Sequence, residues 1–288
     1  MGNNSIRSNI KVENVMSEIK MILSANKNKR IVVLEGIDDY KLLSKFVEED
    51  VILKESFNSK QGVLDIVNKF KNNNKVIGII DKDYDEVIDE KGLFYYDYSS
   101  MEVMMSNSIE AFESLCSECY TEKVNVEEFR EKIFKGLKAI SLLRKYNHID
   151  KLEVSINNIT ISNILSEDNT VCKAKLLDLV NSRSESNTKW QESKKDVEKY
   201  IDNRMEKDYT LEELMYLTRG HDFIYMFSVY CSKLNGKHYK IDAIHGMLRC
   251  AYTLKHLKSS KLWTSLKEYS DIENIYFFRE QNNTINNF

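Results

Sequence analysis

The feature that most restricts this chain is an alternation, through its first hundred residues, of short β-branched apolar runs with segments of helical period. Residues 30–34 (RIVVL), 51–53 (VIL) and 75–80 (KVIGII) are apolar almost throughout rather than on one face, the pattern of strands buried on both sides in a parallel sheet. Between them, Asp38 or Asp39 opens a helical stretch to about Glu49, with Leu42, Leu43, Phe46 and Val47 on one face. Residues 61–70 read as a second helix carrying Val63, Leu64, Val67 and Phe70. A fourth strand is expected at 93–96, then a helix from about Met101. Strands and helices in this order predict an α/β fold, a parallel sheet flanked by helices.

After about residue 110 the period becomes helical, at 109–120, 126–147, 172–182, 188–206, 211–234 and 241–258, with one short strand near 156–161. Three parts are therefore expected: an N-terminal helical segment at 1–27, a sheet domain at 28–110 and a mainly helical domain at 111–288. The chain holds no proline among 288 residues, so no Pro-rich linker marks the junction and the change of period alone sets it.

Chemistry-bearing residues collect where the strands end. Glu35 leaves the first strand, and Asp81 and Asp83 leave the third, at the carboxyl ends where open α/β sheets place their sites. Carboxylates gathered there repel one another unless a divalent cation neutralises them. Mg²⁺ (or Mn²⁺) takes oxygen ligands and keeps waters and substrate phosphates in its shell, so the expected chemistry is metal-assisted attack on a phosphodiester.

Glu35-Gly36-Ile37-Asp38-Asp39, with Asp81-Lys82-Asp83 about 45 residues later, resembles the TOPRIM domain of topoisomerases, primases and OLD-family nucleases over roughly residues 28–106. The resemblance implies acid–base chemistry or metal binding for Glu35 and Mg²⁺ ligation for Asp81 and Asp83. Residues 98–105 (YSSMEVMM) and 218–223 (TRGHDF) extend a narrower likeness over nearly the whole chain. They resemble the TOPRIM-like bacterial family called domain of unknown function 4435, which includes the nuclease component of the PARIS phage-defence system, acting beside a separate ATPase of ABC or AAA type. That likeness implies Glu102 as a further metal ligand. Asp39, Asp85, His221 and Asp222 are the expected outer partners of the site. The family's usual histidine and aspartate before the glutamate are here Ser99 and Ser100.

Simpler readings compete. Asp81, Asp83 and Asp85 fit the first ligands of an EF-hand loop, but Glu86 stands where that loop needs glycine and Gly92 where it needs a bidentate glutamate. His221 and Asp222 precede an aromatic-rich helix (Phe223, Tyr225, Phe227, Tyr230), and a packing histidine with a helix-start aspartate explains them without chemistry. Cys116 and Cys119 lack a second Cys or His pair at zinc-finger spacing. No P-loop and no dinucleotide fingerprint is present, so any nucleotide energy comes from a partner.

The formal net charge of −3 conceals an asymmetry. From Lys75 to Glu102 there are 8 acidic and 3 basic residues, whereas from Lys233 to Lys267 there are 8 basic and 1 acidic. Lys82, Arg249, Lys255, Lys258 and Lys261 are the expected contacts to a nucleic-acid backbone, with Tyr146, Tyr239, Tyr252 and Trp263 available to stack on bases. A solvated lysine face with core aromatics is the competing reading.

No apolar run is long enough for a membrane span or a signal peptide, and five cysteines fit reduced thiols, so a cytoplasmic protein without a membrane role is expected. Met1-Gly2 opens like a myristoylation signal, but Ile6 stands where a hydroxyl is required. The functional expectation is a Mg²⁺-dependent TOPRIM-type nuclease of antiviral defence, cleaving DNA or structured RNA such as tRNA. Its expected partners are the ATPase and a second copy of the chain. The alternative is a non-catalytic regulatory module that binds nucleic acid or an ATPase. Nucleotidyl transfer on the same carboxylates ranks third, because no nucleotide-binding motif supports it.

Overall fold

The computed structural model describes residues 11–119, 125–156 and 159–280. Two compact units emerge: one holds the chain up to Lys82, Glu86–Asp97 and the chain from Thr253, the other Asp83–Asp85 and Tyr98–Tyr252. The myristoyl-like Met1-Gly2 lies outside the described residues.

In the first unit, α1 (Val12–Ala25) precedes β1 (Arg30–Leu34), α2 (Ile37–Leu43), β2 (Val51–Glu55), α3 (Ser59–Lys69), β3 (Val76–Ile80) and β4 (Leu93–Tyr95). The strands form one parallel sheet in the order β2-β1-β3-β4. The expected α/β class is therefore observed. Alternation along the strands sends Ile31, Val33, Val76 and Ile80 to one face, where they bury against Val15 and Ile19 of α1 and Val63, Ile66 and Val67 of α3. Each such side chain contributes roughly 1.5–3 kcal/mol on burial. Gly78 interrupts the apolar run because α3 passes directly over it: a Cβ there would stand 2.6 Å from both Val63 Cγ1 and Val67 Cγ2.

The C-terminal chain joins this unit, rather than a helical domain beginning at 111. It carries α13 (Leu254–Lys258) and α14 (Lys261–Glu273). The Asp97 carboxylate, just past β4, accepts the backbone N–H groups of Lys261 (2.9 Å) and Leu262 (2.8 Å) and so satisfies the first turn of α14. Beyond α14, the Glu48 N–H donates to the Phe277 carbonyl (3.1 Å) and the Arg279 N–H to that of Phe46 (2.9 Å). Local period carries no record of such pairings, which explains why the expected boundary near 110 misses this return.

The second unit is helical: α4 (Met101–Asn107), α5 (Ile109–Cys119), α6 (Val126–Gly136), α7 (Lys138–Ile149), α8 (Lys173–Arg183), α9 (Thr188–Met205), α10 (Leu211–Leu217), α11 (Gly220–Asn235) and α12 (Ile241–Ala251). Phe112, Phe134 and Phe223 form its aromatic core, with Phe223 ring centroids 5.8 Å from Phe112 and 4.8 Å from Phe134. Buried Trp190 donates its indole N–H to Asn181 Oδ1 at 2.8 Å. The runs expected as single helices at 126–147, 211–234 and 241–258 break at Leu137, at Thr218 and Arg219, and at Tyr252 and Thr253. Near 156–161 the described residues contain no strand; a 3₁₀ turn occupies Ile161–Ile164, and residues 157–158 lie outside the described chain.

Candidate functional site

In the sheet unit the chain runs from β1 outward to β2, then returns across β1 to β3. The crevice between β1 and β3 is thus a topological switch point, and open α/β sheets bind ligands outside the carboxyl ends of their strands at such a point. Glu35 and Asp81 stand there, each one residue beyond its strand. The Asp81 backbone N–H donates to Glu35 Oε1 at 2.8 Å, which helps to orient that carboxylate. Asp39, in the first turn of α2, accepts the Gly36 N–H at 3.1 Å.

Tyr96 marks how these carboxylates cluster. Its ring is fully buried, and its phenol is pushed well above the usual tyrosine range by burial first, then by Asp39, Asp81 and Glu35. All three carboxylates are half-buried, and an all-oxygen donor set of this kind suits Mg²⁺ or Mn²⁺. Lys82, the next residue along the chain, lines a cleft with Asp97 and Lys261, between β4 and α14. Burial lowers the Lys82 pKa from its ordinary value; Asp97 opposes that shift and Lys261 adds to it. Two of the five expected phosphate contacts, Lys82 and Lys261, are thereby brought together. Lys255 and Lys258 are exposed on α13, with the Lys258 ammonium 5.5 Å from the Trp263 ring centroid.

The other expected residues belong to the helical unit. Asp83 adopts a left-handed backbone (φ 51°) and its N–H donates to the Ser99 carbonyl at 2.9 Å. Asp85 Oδ1 lies 2.7 Å from His148 Nε2. Asp222 is not merely a helix-start residue: it forms a buried bidentate pair with Arg144 of α7, at 2.5 Å (Nε to Oδ2) and 2.9 Å (Nη2 to Oδ1). Arg249 is buried, as is Tyr252, so neither lies on an exposed basic or stacking face as expected. Tyr146 packs edge-on to Tyr200, with ring centroids 4.8 Å apart.

Glu102, in the first turn of α4, is buried and meets two imidazoles. His245 of α12 places Nδ1 3.7 Å from Glu102 Oε1, and the His245 and His221 ring centroids are 5.3 Å apart. Among the described residues, Glu102, His221 and His245 are the one group of three such side chains whose ligand atoms all lie within 4.8 Å of one another. His245 escaped the sequence reading, since nothing in Ile244-His245-Gly246 differs from an ordinary helix interior. Cys116 and Cys119 are buried thiols outside any disulfide, and Cys119 hydrogen-bonds with Cys231.

Family models and curated proteins yield no match to this chain. Among the described residues, no helix is long and apolar enough to cross a membrane.

Proposed function

We propose that this chain is a divalent-metal-dependent phosphodiesterase of TOPRIM type, a nuclease acting on DNA or structured RNA such as tRNA. One observation carries the reading: Glu35 and Asp81 stand together at the switch point of a parallel sheet, tied by the Asp81 N–H, with Asp39 close by. Glu35 and Asp81 would hold Mg²⁺ or Mn²⁺, which supplies Lewis acidity and an activated water when bound. Glu35 would serve as general base or as a metal ligand. Lys82 and Lys261, which line one cleft with Asp97, would offer positive charge to a phosphate. Asp83 and Glu102, which the family resemblance adds as ligands, belong to the helical unit.

The same resemblance supports a role in antiviral defence, with an ABC- or AAA-type ATPase and a second copy of the chain as partners. The test is cleavage of DNA and of total RNA with Mg²⁺, with Mn²⁺ and with EDTA, by the purified chain alone and beside the ATPase. Metal-dependent products are expected, and their absence in both settings refutes the reading. The alternative is a non-catalytic regulatory module. A regulatory module would bind nucleic acid or the ATPase with no metal-dependent turnover.

A further inference from the structure

We propose that Glu102, His221 and His245 form a transition-metal site in the helical unit, one that takes Zn²⁺ in preference to Mg²⁺ and keeps an open coordination position. The inference does not rest on the nuclease reading, because its residues and its metal chemistry are different. Two imidazoles and one carboxylate are the donor set of borderline-soft ions, and zinc sites with three such ligands hold water or substrate in the fourth position. Mg²⁺ seeks oxygen and sheds its water reluctantly, so it competes poorly for imidazole nitrogen.

Local structure places the three donors. Ser100 caps α4 by accepting the Val103 N–H and donates its hydroxyl to Glu102 Oε2 at 3.0 Å, fixing the carboxylate. Ser99 donates to the Thr218 carbonyl at 2.5 Å, drawing the turn between α10 and α11 onto the start of α4. The next residues are then forced close: a Cβ on Gly220 would stand 2.2 Å from both Glu102 Oε2 and Ser100 Oγ. Only glycine fits, and His221 follows it. The two serines that depart from the family pattern thus hold the turn and the carboxylate in place. The Arg144–Asp222 pair anchors the first turn of α11 to α7. Such outer contacts orient ligands around bound metals.

Glu102 and His245 are buried while His221 is exposed, so the cluster is reached from the His221 side. Donors around a tetrahedral zinc stand about 3.3 Å apart, so closing from within 4.8 Å takes movements of about 1 Å. An exposed imidazole can make that movement by rotating its side chain.

The test uses the full chain, stripped of metal by a chelator and dialysed. Zn²⁺ and Mg²⁺ are titrated by calorimetry, and Co²⁺ is followed by its visible absorption. Wild type, His221→Gln, His245→Gln and Glu35→Gln are compared. In millimolar Mg²⁺ one tightly bound Zn²⁺ per chain is expected, with affinity reduced at least about 100-fold in both histidine variants. Affinity should be unchanged in Glu35→Gln, and millimolar Mg²⁺ should not displace Zn²⁺. His221 is exposed, so that variant decides the question if His245→Gln fails to fold. Equal Zn²⁺ affinity in wild type and His221→Gln overturns the proposal, as does a Co²⁺ spectrum with thiolate charge transfer, which would put the ion on cysteine. A chain that binds Zn²⁺ here yet cleaves nothing leaves this site standing and removes the nuclease reading; the converse result separates the two in the other direction.

Discussion

Asp222→Ala provides a strong perturbation of the helical unit because of where its partner is left. The Asp222 and Arg144 side chains are 8% and 7% exposed, and they meet through two hydrogen bonds. Truncating Asp222 leaves a guanidinium buried without its counter-ion, a loss of about 3–5 kcal/mol. Replacing both residues by apolar ones of similar volume, Arg144→Met with Asp222→Leu, removes charge and partner together and should recover most of that loss. Two tryptophans allow the unit to be followed by itself: Trp190 is buried in the helical unit and Trp263 belongs to the sheet unit. In a Trp263→Phe background, Trp190 fluorescence reports urea unfolding of the helical unit. With an m-value of about 2 kcal/mol/M, Asp222→Ala should lower the midpoint by about 1.5–2.5 M. A shift below about 0.5 M, or a double variant no more stable than the single one, refutes the reasoning.

Gly220→Ala should lower the melting temperature by several degrees, since overpacking costs about 1–3 kcal/mol, and should weaken Zn²⁺ binding with it. Gly246→Ala, where a Cβ would meet nothing closer than Arg249 Nη2 at 3.9 Å, should be neutral or stabilising in the same melt. If Lys82 and Lys261 contact phosphate, each Ala variant should reduce the slope of log K against log salt for nucleic-acid binding by about 1; unchanged slopes would exclude that role. Alkylation at pH 8, read by mass spectrometry, should modify exposed Cys250 first and buried Cys116 and Cys231 last. The Cys116 thiol is pushed up to about 12 by burial and by its neighbours Cys119 and Glu113, so its thiolate fraction there is about one in 10⁴.

The sheet was legible because its strands are short and apolar on both faces: β1 falls on the RIVVL run itself, and β3 on KVIGII less its lysine. Helix breaks were not legible, because what ends a helix here is tertiary. Thr218 leaves the helical path where its carbonyl takes the Ser99 hydroxyl, a contact spanning 119 residues. The pairing of Asp97 with α14 likewise joins residues more than 160 apart, so the return of the C-terminal chain to the sheet left no trace in local period. Candidate chemistry followed the same division. Glu35 and Asp81 could be read from strand ends, whereas His245 joins Glu102 only through the packing of α12. Arg249 counted as positive charge in a basic segment, yet its burial removes it from any exposed face.

The most direct test of the account is the single-turnover cleavage rate of wild type against Glu35→Gln and Asp81→Asn, measured in Mg²⁺ on the substrate that the wild type cuts best. Removing a ligand or proton acceptor from a metal-assisted phosphodiester cleavage should slow it by at least about 10²–10³-fold, with folding of each variant verified by circular dichroism and by the fluorescence of Trp263 in the sheet unit. Cleavage by both variants at the wild-type rate would contradict the central claim that the β1–β3 crevice is where the phosphodiester is cut.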